Sequence, residues 1–138
     1  MKTGKRILIV EDDPDDEALL FRQLKKAQLD GHIKVIHDGG KALKYLTDLR
    51  FNCEDLAAVF LDLRLPTMSG IEILEAIRGQ KRLEKLPVIV MTSSNLPEEL
   101  RRCEELGAAF VGKPLTFTSF AKAFADRFQA DRSTAISE

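Results

Sequence analysis

Four short apolar runs of the chain end at, or just before, side chains that could bind a metal ion or a phosphoryl group. These side chains are Glu11, Asp12, Asp62, Thr92 and Lys113. Three clustered carboxylates repel one another and need a cation, and oxygen ligands with room for water suit Mg²⁺. A carboxylate can also attack phosphorus to form an acyl phosphate, whose charge a lysine and a hydroxyl group can stabilise. The set therefore predicts Mg²⁺-dependent phosphoryl transfer.

Each of these residues also has an ordinary structural interpretation. Acidic residues after a strand favour the positive end of the following helix, and an aspartate before a proline-containing turn is often a turn former. Thr92 could be a helix cap and Lys113 a solvated surface charge. A functional site is favoured because the acids, the hydroxyl group and the ammonium group fall at four separate strand ends.

The elements that would position these groups are predicted from the apolar pattern. Short continuous apolar runs are typical of strands buried on both faces, and they alternate here with segments of helical period. Such alternation predicts a parallel sheet with helices on both faces, in which ligands bind beyond the carboxyl ends of the strands. The predicted strands are 7–10, 33–36, 57–61, 87–91 and 109–111.

Apolar stripes and breaking residues mark the predicted helices. The first helix begins near Asp15 and stops at Gly31, and the fourth begins near Pro97 and stops at Gly107. The apolar stripe of the third helix is Ile71, Leu74 and Ile77, and that of the fourth is Leu96, Leu100 and Cys103. The stripe of the fifth helix is Phe117, Phe120, Phe124 and Phe128. The phenylalanine stripe is interpreted as core packing.

Composition limits the functional class. The chain has 138 residues, 44% hydrophobic and 31% charged, with a net charge of −1, which fits one globular domain without the basic excess of a stand-alone nucleic-acid-binding domain. No apolar run approaches the roughly 20 residues that span a bilayer. Cys53 and Cys103 lack metal-ligand spacing and are interpreted as reduced thiols of a cytoplasmic protein. We expect one domain over residues 5–128, then a short polar tail at 129–138 with no output domain.

Four motifs resemble those of response-regulator receiver domains. They are Ile-Leu-Ile-Val-Glu-Asp-Asp (7–13), Leu-Asp-Leu-Arg-Leu-Pro-Thr-Met-Ser-Gly (61–70), Met-Thr-Ser-Ser (91–94) and Lys-Pro (113–114). The resemblance covers residues 5 to 128. It implies a flavodoxin-like (βα)5 fold of the α/β class, with a doubly wound five-stranded parallel sheet in the order 2-1-3-4-5.

The resemblance implies which residues hold the metal and the phosphoryl group. Asp62 corresponds to the phosphoacceptor. Asp12 corresponds to the direct acidic ligand of Mg²⁺, with Glu11 reaching the ion through water. The backbone carbonyl of Arg64 would complete the protein ligands.

It also implies a set of switch residues. Thr92 corresponds to the hydroxyl group that turns toward the phosphoryl group, and Lys113 to the lysine that pairs with it, followed by a cis bond to Pro114. Phe110 occupies the position of the aromatic switch residue. We expect Ser94, together with Arg64, to set the lifetime of the phosphoryl group, since both should border the path of the attacking water.

The implied partner is a histidine kinase. The segments Glu-Asp-Asp-Pro-Asp-Asp (11–16) and Met-Thr-Ser-Ser (91–94), with a long loop near 50–56, resemble single-domain regulators paired with phytochrome-type kinases. Output would be a protein contact or onward transfer to a histidine phosphotransfer protein. A homodimer is expected through the face of the fourth helix, fifth strand and fifth helix, with no nucleic acid or membrane bound.

Two other functions were weighed. A phosphohydrolase of the haloacid dehalogenase type needs a second aspartate two residues after its nucleophile, where this chain has Arg64, which cannot exchange protons near pH 7. A phosphorylation-independent interaction module normally lacks the acidic pair, the aspartate or the lysine, and this chain has all of them.

Overall fold

The fold is a single parallel sheet with helices on both faces, and the computed structural model describes residues 5–29, 31–93 and 95–123. Within these residues five strands pair in the order β2-β1-β3-β4-β5. The strands are β1 (Arg6–Val10), β2 (Ile33–Ile36), β3 (Leu56–Asp62), β4 (Val88–Thr92) and β5 (Ala109–Gly112). The chain builds outward from β1 to β2 and then crosses to β3, so the strand order reverses between β1 and β3. The predicted order is confirmed.

Helices connect the strands. They are α1 (Pro14–Lys26), α2 (Gly39–Thr47), α3 (Gly70–Arg78) and α4 (Pro97–Glu105), with short 3-10 turns at Cys53–Asp55 and Lys81–Leu83. A further helical segment, α5, covers 117–123, where the described residues end. No helix in the described part of the chain has the length and apolar character needed to cross a membrane. Phe124, Phe128, Ser94 and the predicted tail at 129–138 lie outside the described residues.

Local hydrogen bonds explain where the helices begin and end. Asp13 caps α1 by accepting from the backbone N–H groups of Asp15 and Asp16. The predicted stop of this helix at Gly31 is wrong, because the chain leaves the helix at Ala27 and Gln28 takes the left-handed conformation with φ of 60°. Gly107, with φ of 72°, follows α4 as predicted, because glycine adopts this conformation without steric cost.

The sheet separates two apolar cores. Leu8 and Val10 of β1 face α2 and α3, whereas Ile7 and Ile9 face α1 and α5. Every residue of β3 is buried, because this strand lies in the centre of the sheet. The helices contribute core residues on both sides of the sheet: Leu20 and Leu24 from α1, Ile73, Leu74 and Ile77 from α3, and Phe120 and Ala123 from α5.

The predicted stripes of α3 and α5 need correction. Ile73, and not Ile71, is the fully buried isoleucine of the first turn of α3, and Ile71 packs at the margin of the core. Phe120 stacks on Phe60 with ring centroids 5.8 Å apart, whereas Phe117 is 38% exposed. The helical spacing of apolar residues therefore predicted that these helices exist, but not how each is rotated about its axis against the sheet.

Several contacts hold the C-terminal end of helix α4. Cys103, in its last turn, is the buried residue among the nine of α4, each of which the structure describes. Arg102 pairs with Glu75 of α3 at 3.0 Å. The guanidinium of Arg78 donates to the carbonyl oxygen of Leu106, which follows α4, at 2.6 Å. Leu96, predicted on the buried stripe, is 51% exposed.

Candidate functional site

The register of the strands brings the predicted site residues to one edge of the sheet. Asp62 pairs with Met91 of β4, and Thr92 pairs with Gly112 of β5. The carboxyl ends of β1, β3, β4 and β5 therefore lie side by side. Residues from the first strand and from the end of the fifth strand meet there although about a hundred positions separate them.

Three carboxylates form a cluster at this edge. One oxygen atom each from Glu11, Asp12 and Asp62 lies within 4.8 Å of the others. Glu11 and Asp62 are buried, at 0% and 3% exposure, whereas Asp12 is exposed. The cluster fits a hard divalent cation, because its donors are all carboxylate oxygens and its exposed member leaves room for water ligands.

Lys113 places a positive charge against two members of this cluster and against Asp16. Its Nζ atom lies 2.9 Å from Glu11 Oε1, 2.8 Å from Asp16 Oδ2 and 3.2 Å from Asp62 Oδ2. Burial alone lowers the pKa of Lys113, but its hydrogen bonds to Asp16 and Glu11 and the nearby negative charges raise that pKa above its ordinary value. The lysine is therefore a permanent cation at the site.

The carboxyl group of Glu11 has a raised pKa in this site. Burial raises the pKa of its carboxyl group from 4.5 to about 7, and the neighbouring Asp62 adds to the increase. The hydrogen bonds from Lys113 and from the backbone N–H of Asp13 lower the pKa only in part. An ionised Glu11 thus needs more positive charge than Lys113 supplies.

Asp16 was not identified from the sequence. It lies in the first turn of α1, four residues after Asp12, and its carboxylate is 29% exposed. Helical spacing and the acidic first turn were both visible in the sequence. Only the approach of Lys113, 97 residues away, distinguishes Asp16 from its neighbours as a site residue.

A close approach of backbone to backbone fixes Asp62. The loop after β3 turns back so that the N–H of Gly70 donates to the carbonyl oxygen of Leu63 at 3.0 Å. A Cβ atom at position 70 would lie 2.4 Å from the carbonyl oxygen of Asp62, so only glycine fits. Ser69 and Glu72 form a capping box that starts α3 at this point.

Thr92 and Phe110 lie on neighbouring strands. Thr92 is buried, and its carbonyl oxygen accepts from the N–H of Lys113 at 2.8 Å. The Lys113–Pro114 peptide bond is cis, the form that the family resemblance implies. Phe110 pairs with Val90, two residues before Thr92, and is 44% exposed. Its ring is therefore largely at the surface and not in the core.

Arg64 lies at the mouth of the site. Its backbone N–H donates to Asp62 Oδ1 at 3.1 Å, and its guanidinium pairs with Glu99 of α4 at 2.9 Å. An open cavity of about 490 Å³ lies beside Asp62, large enough for a phosphoryl group and water. The residues that line this cavity are Asp12, Asp13, Asp16, Asp62, Arg64, Ser93, Lys113 and Pro114.

Comparison with known proteins finds regulatory proteins among the relatives of this chain. The probable methanogenesis regulatory protein FilR2 of Methanothrix harundinacea is 36% identical over 113 residues, which cover 80% of this chain and 73% of that protein. The two-component response regulator ORR1 of Oryza sativa subsp. japonica is 35% identical over 115 residues, and the match spans about half of its length, 49%.

Solved structures agree with these relatives. The bacteriophytochrome response regulator AtBRR is 39% identical, with a TM-score of 0.76 and coverage of 91% of this chain and 94% of that one. The family model of the response regulator receiver domain matches residues 7–125. Because that match covers most of the chain, with residues of all five strands and every group at the carboxyl edge of the sheet, the chain belongs to the family of response-regulator receiver domains.

Proposed function

We propose that this receiver domain accepts a phosphoryl group on Asp62 from a histidine kinase and thereby switches a surface that contacts other proteins. The observation that carries the proposal is the position of Asp62. Asp62 is 3% exposed and ends the central strand, with its carboxylate beside the ammonium group of Lys113 and the carboxylates of Glu11 and Asp12. The open cavity next to it gives a phosphoryl donor access.

The acidic cluster supports Mg²⁺ as the cofactor, as receiver domains bind Mg²⁺ at an acidic pocket. We assign Asp12 and Asp62 as direct ligands, Glu11 as a ligand through water, and Arg64 as the donor of a backbone carbonyl oxygen. When bound, Mg²⁺ supplies positive charge that offsets the negative charge of the transferring phosphoryl group. The raised pKa of Glu11 supports this assignment, because the ionised cluster lacks sufficient positive charge.

In the transfer, a carboxylate oxygen of Asp62 forms a bond to phosphorus as the bond between phosphorus and the imidazole nitrogen of the kinase breaks. The electron pair of the broken bond stays on that nitrogen, and because the other ring nitrogen carries a proton, the histidine leaves as neutral imidazole. Lys113 pairs with the phosphoryl oxygens, and the Thr92 hydroxyl group donates a hydrogen bond to them. The protein thus takes part in its own modification and is a switch, not an enzyme acting on a separate substrate.

Loss of the phosphoryl group occurs when water attacks phosphorus and Asp62 is released as the carboxylate. Arg64 lines the cavity through which that water must approach. We propose that Arg64 and Ser94 set the rate of this step. Replacing them with Asn and Glu should change the rate of dephosphorylation, and an unchanged rate would remove both residues from the role.

The proposed partners follow from the relatives and the surface. The likeness to the bacteriophytochrome response regulator AtBRR supports a kinase of the phytochrome type as the donor. We place the protein in the cytoplasm, with a histidine phosphotransfer protein as a candidate acceptor for onward transfer. The face formed by α4, β5 and α5 exposes Leu96, Phe110 and Arg101, a mixed apolar and charged surface suited to a homodimer or kinase contact.

The test is phosphorylation by a small donor, acetyl phosphate, followed by intact-mass measurement. We expect labelling of the wild type in the presence of Mg²⁺ and none with EDTA. Asp62→Asn should abolish labelling, whereas Asp55→Asn, a matched change at an exposed carboxyl group, should leave it intact. Labelling that persists in Asp62→Asn or in EDTA refutes the proposal. A panel of purified histidine kinases would then identify the cognate donor.

A further inference from the structure

The guanidinium of Arg64 connects the phosphorylation loop to helix α4. Arg64 Nη2 lies 2.9 Å from Glu99 Oε1, and the arginine and glutamate side chains are 55% and 25% exposed. Glu99 belongs to the first turn of α4, whereas Arg64 follows Asp62 by two residues. The contact therefore joins the site to the start of a helix that contributes to the proposed interaction face.

The two ends of α4 are attached differently. The C-terminal end has a buried cysteine, the Arg102–Glu75 ion pair and the Arg78 bond to Leu106. At the N-terminal end the cap position is occupied by Leu96, an aliphatic side chain that cannot accept a hydrogen bond. The Arg64–Glu99 pair thus acts on the end of α4 opposite to its buried cysteine.

The same guanidinium is within reach of a phosphoryl group on Asp62. The backbone N–H of Arg64 already donates to Asp62 Oδ1 at 3.1 Å, so its side chain starts at the edge of the site and lines the cavity. Arginine binds phosphate oxygens in a bidentate manner, and a phosphoryl group adds negative charge and acceptor oxygens that the unmodified site lacks. Arg64 can exchange partners by rotating its side chain alone.

We propose that Glu99 is a positioning residue that holds the Arg64 guanidinium on α4 until a phosphoryl group on Asp62 competes for it. Transfer of the guanidinium to the phosphoryl oxygens breaks the bond to Glu99 and loosens the first turn of α4, while the last turn stays attached. This inference rests on the proposed function of Asp62. It adds a route from the site to α4 that does not pass through Thr92 and Phe110.

The test measures the apparent affinity for beryllofluoride, a mimic of the phosphoryl group, at one fixed Mg²⁺ concentration. Glu99→Gln removes the competitor and should tighten binding by about 1.5-fold to fivefold, the range expected for a partly exposed ion pair. Glu98→Gln, which removes an exposed charge of the same turn, is the matched control. It should change the affinity by less than about 1.5-fold, the lower end of the range for an exposed ion pair. With Arg64→Met in the background, Glu99→Gln should have no effect.

Amide hydrogen exchange supplies the second measurement. Beryllofluoride should increase exchange at 98–101 of the wild type and leave 103–107 unchanged, and Glu99→Gln should show faster exchange at 98–101 before beryllofluoride is added. Equal effects of the Glu98 and Glu99 variants, or an undiminished effect in the Arg64→Met background, would overturn the inference. Failure of the wild type to bind beryllofluoride would instead overturn the proposed function of Asp62.

Discussion

Burying Glu11 destabilises the protein at high pH, and Glu11→Gln should reverse this effect. The carboxyl group of Glu11 has its pKa raised from 4.5 to about 7 by burial. Because the folded state holds the proton more tightly than the unfolded state, the stability contributed by protonated Glu11 is fully present below pH 4.5 and is lost as the pH rises through 7. At about 1.36 kcal/mol per pKa unit, the loss between pH 5 and pH 8 is about 2 to 3 kcal/mol.

Glutamine cannot ionise, so the variant should lack this part of the pH dependence. Its amide has one oxygen where Glu11 has two, and Glu11 accepts from both Lys113 Nζ and the N–H of Asp13. The lost acceptor destabilises the variant by about 1 kcal/mol at every pH. We therefore expect Glu11→Gln to be slightly less stable than the wild type at pH 5 and about 1 to 2 kcal/mol more stable at pH 8.

Urea unfolding in EDTA at both pH values measures this difference directly. Glu54→Gln, at an exposed carboxyl group of the Cys53–Asp55 turn, is the matched control and should parallel the wild type. Adding Mg²⁺ at pH 8 should stabilise the wild type more than Glu11→Gln, because bound ligand stabilises only the folded state that binds it. Parallel pH profiles of the wild type and Glu11→Gln in EDTA would refute the reasoning.

Three further variants test the site. Lys113→Met should raise the affinity for Mg²⁺ in a metal titration, since a cation 3.2 Å from Asp62 Oδ2 repels the metal; a tenfold loss would contradict the assignment. Thr92→Ala should bind Mg²⁺ within about tenfold of the wild type, or about 1.4 kcal/mol, but should show no beryllofluoride-dependent hydrogen exchange at Phe110. Gly70→Ala should destabilise the fold by about 1 to 3 kcal/mol in urea unfolding, because its Cβ would lie 2.4 Å from a carbonyl oxygen. Gly112→Ala, where a Cβ meets nothing within 4 Å, should change stability far less, and equal losses would contradict the packing argument.

The sequence was sufficient to predict the sheet and the edge at which the site forms. Buried parallel strands are continuous apolar runs, and the polar residue after each run is visible without knowing any distance. Glu11, Asp62 and Lys113 could be placed together because parallel strands bring their carboxyl ends to one edge. Their convergence therefore follows from topology alone.

Side-chain partners chosen by tertiary geometry could not be predicted. The bond between Lys113 and Asp16, and that between Arg64 and Glu99, depend on how α1 and α4 are rotated against the sheet. Phe110 is exposed because β5 is an edge strand and one of its faces is only partly covered. Local spacing carries no information about these angles.

The ion pair between Lys113 and Glu11 closes a loop of 102 residues and so has a consequence for the order of folding. The acids are made early in synthesis and the lysine late, so a growing chain carries the negative cluster before its internal counter-charge exists. Long loops are closed late because their closure entropy must be offset by contacts already formed. Lys113 therefore reaches the site only once β5 has joined the sheet, and a truncated or incompletely folded chain lacks this cation beside its acids.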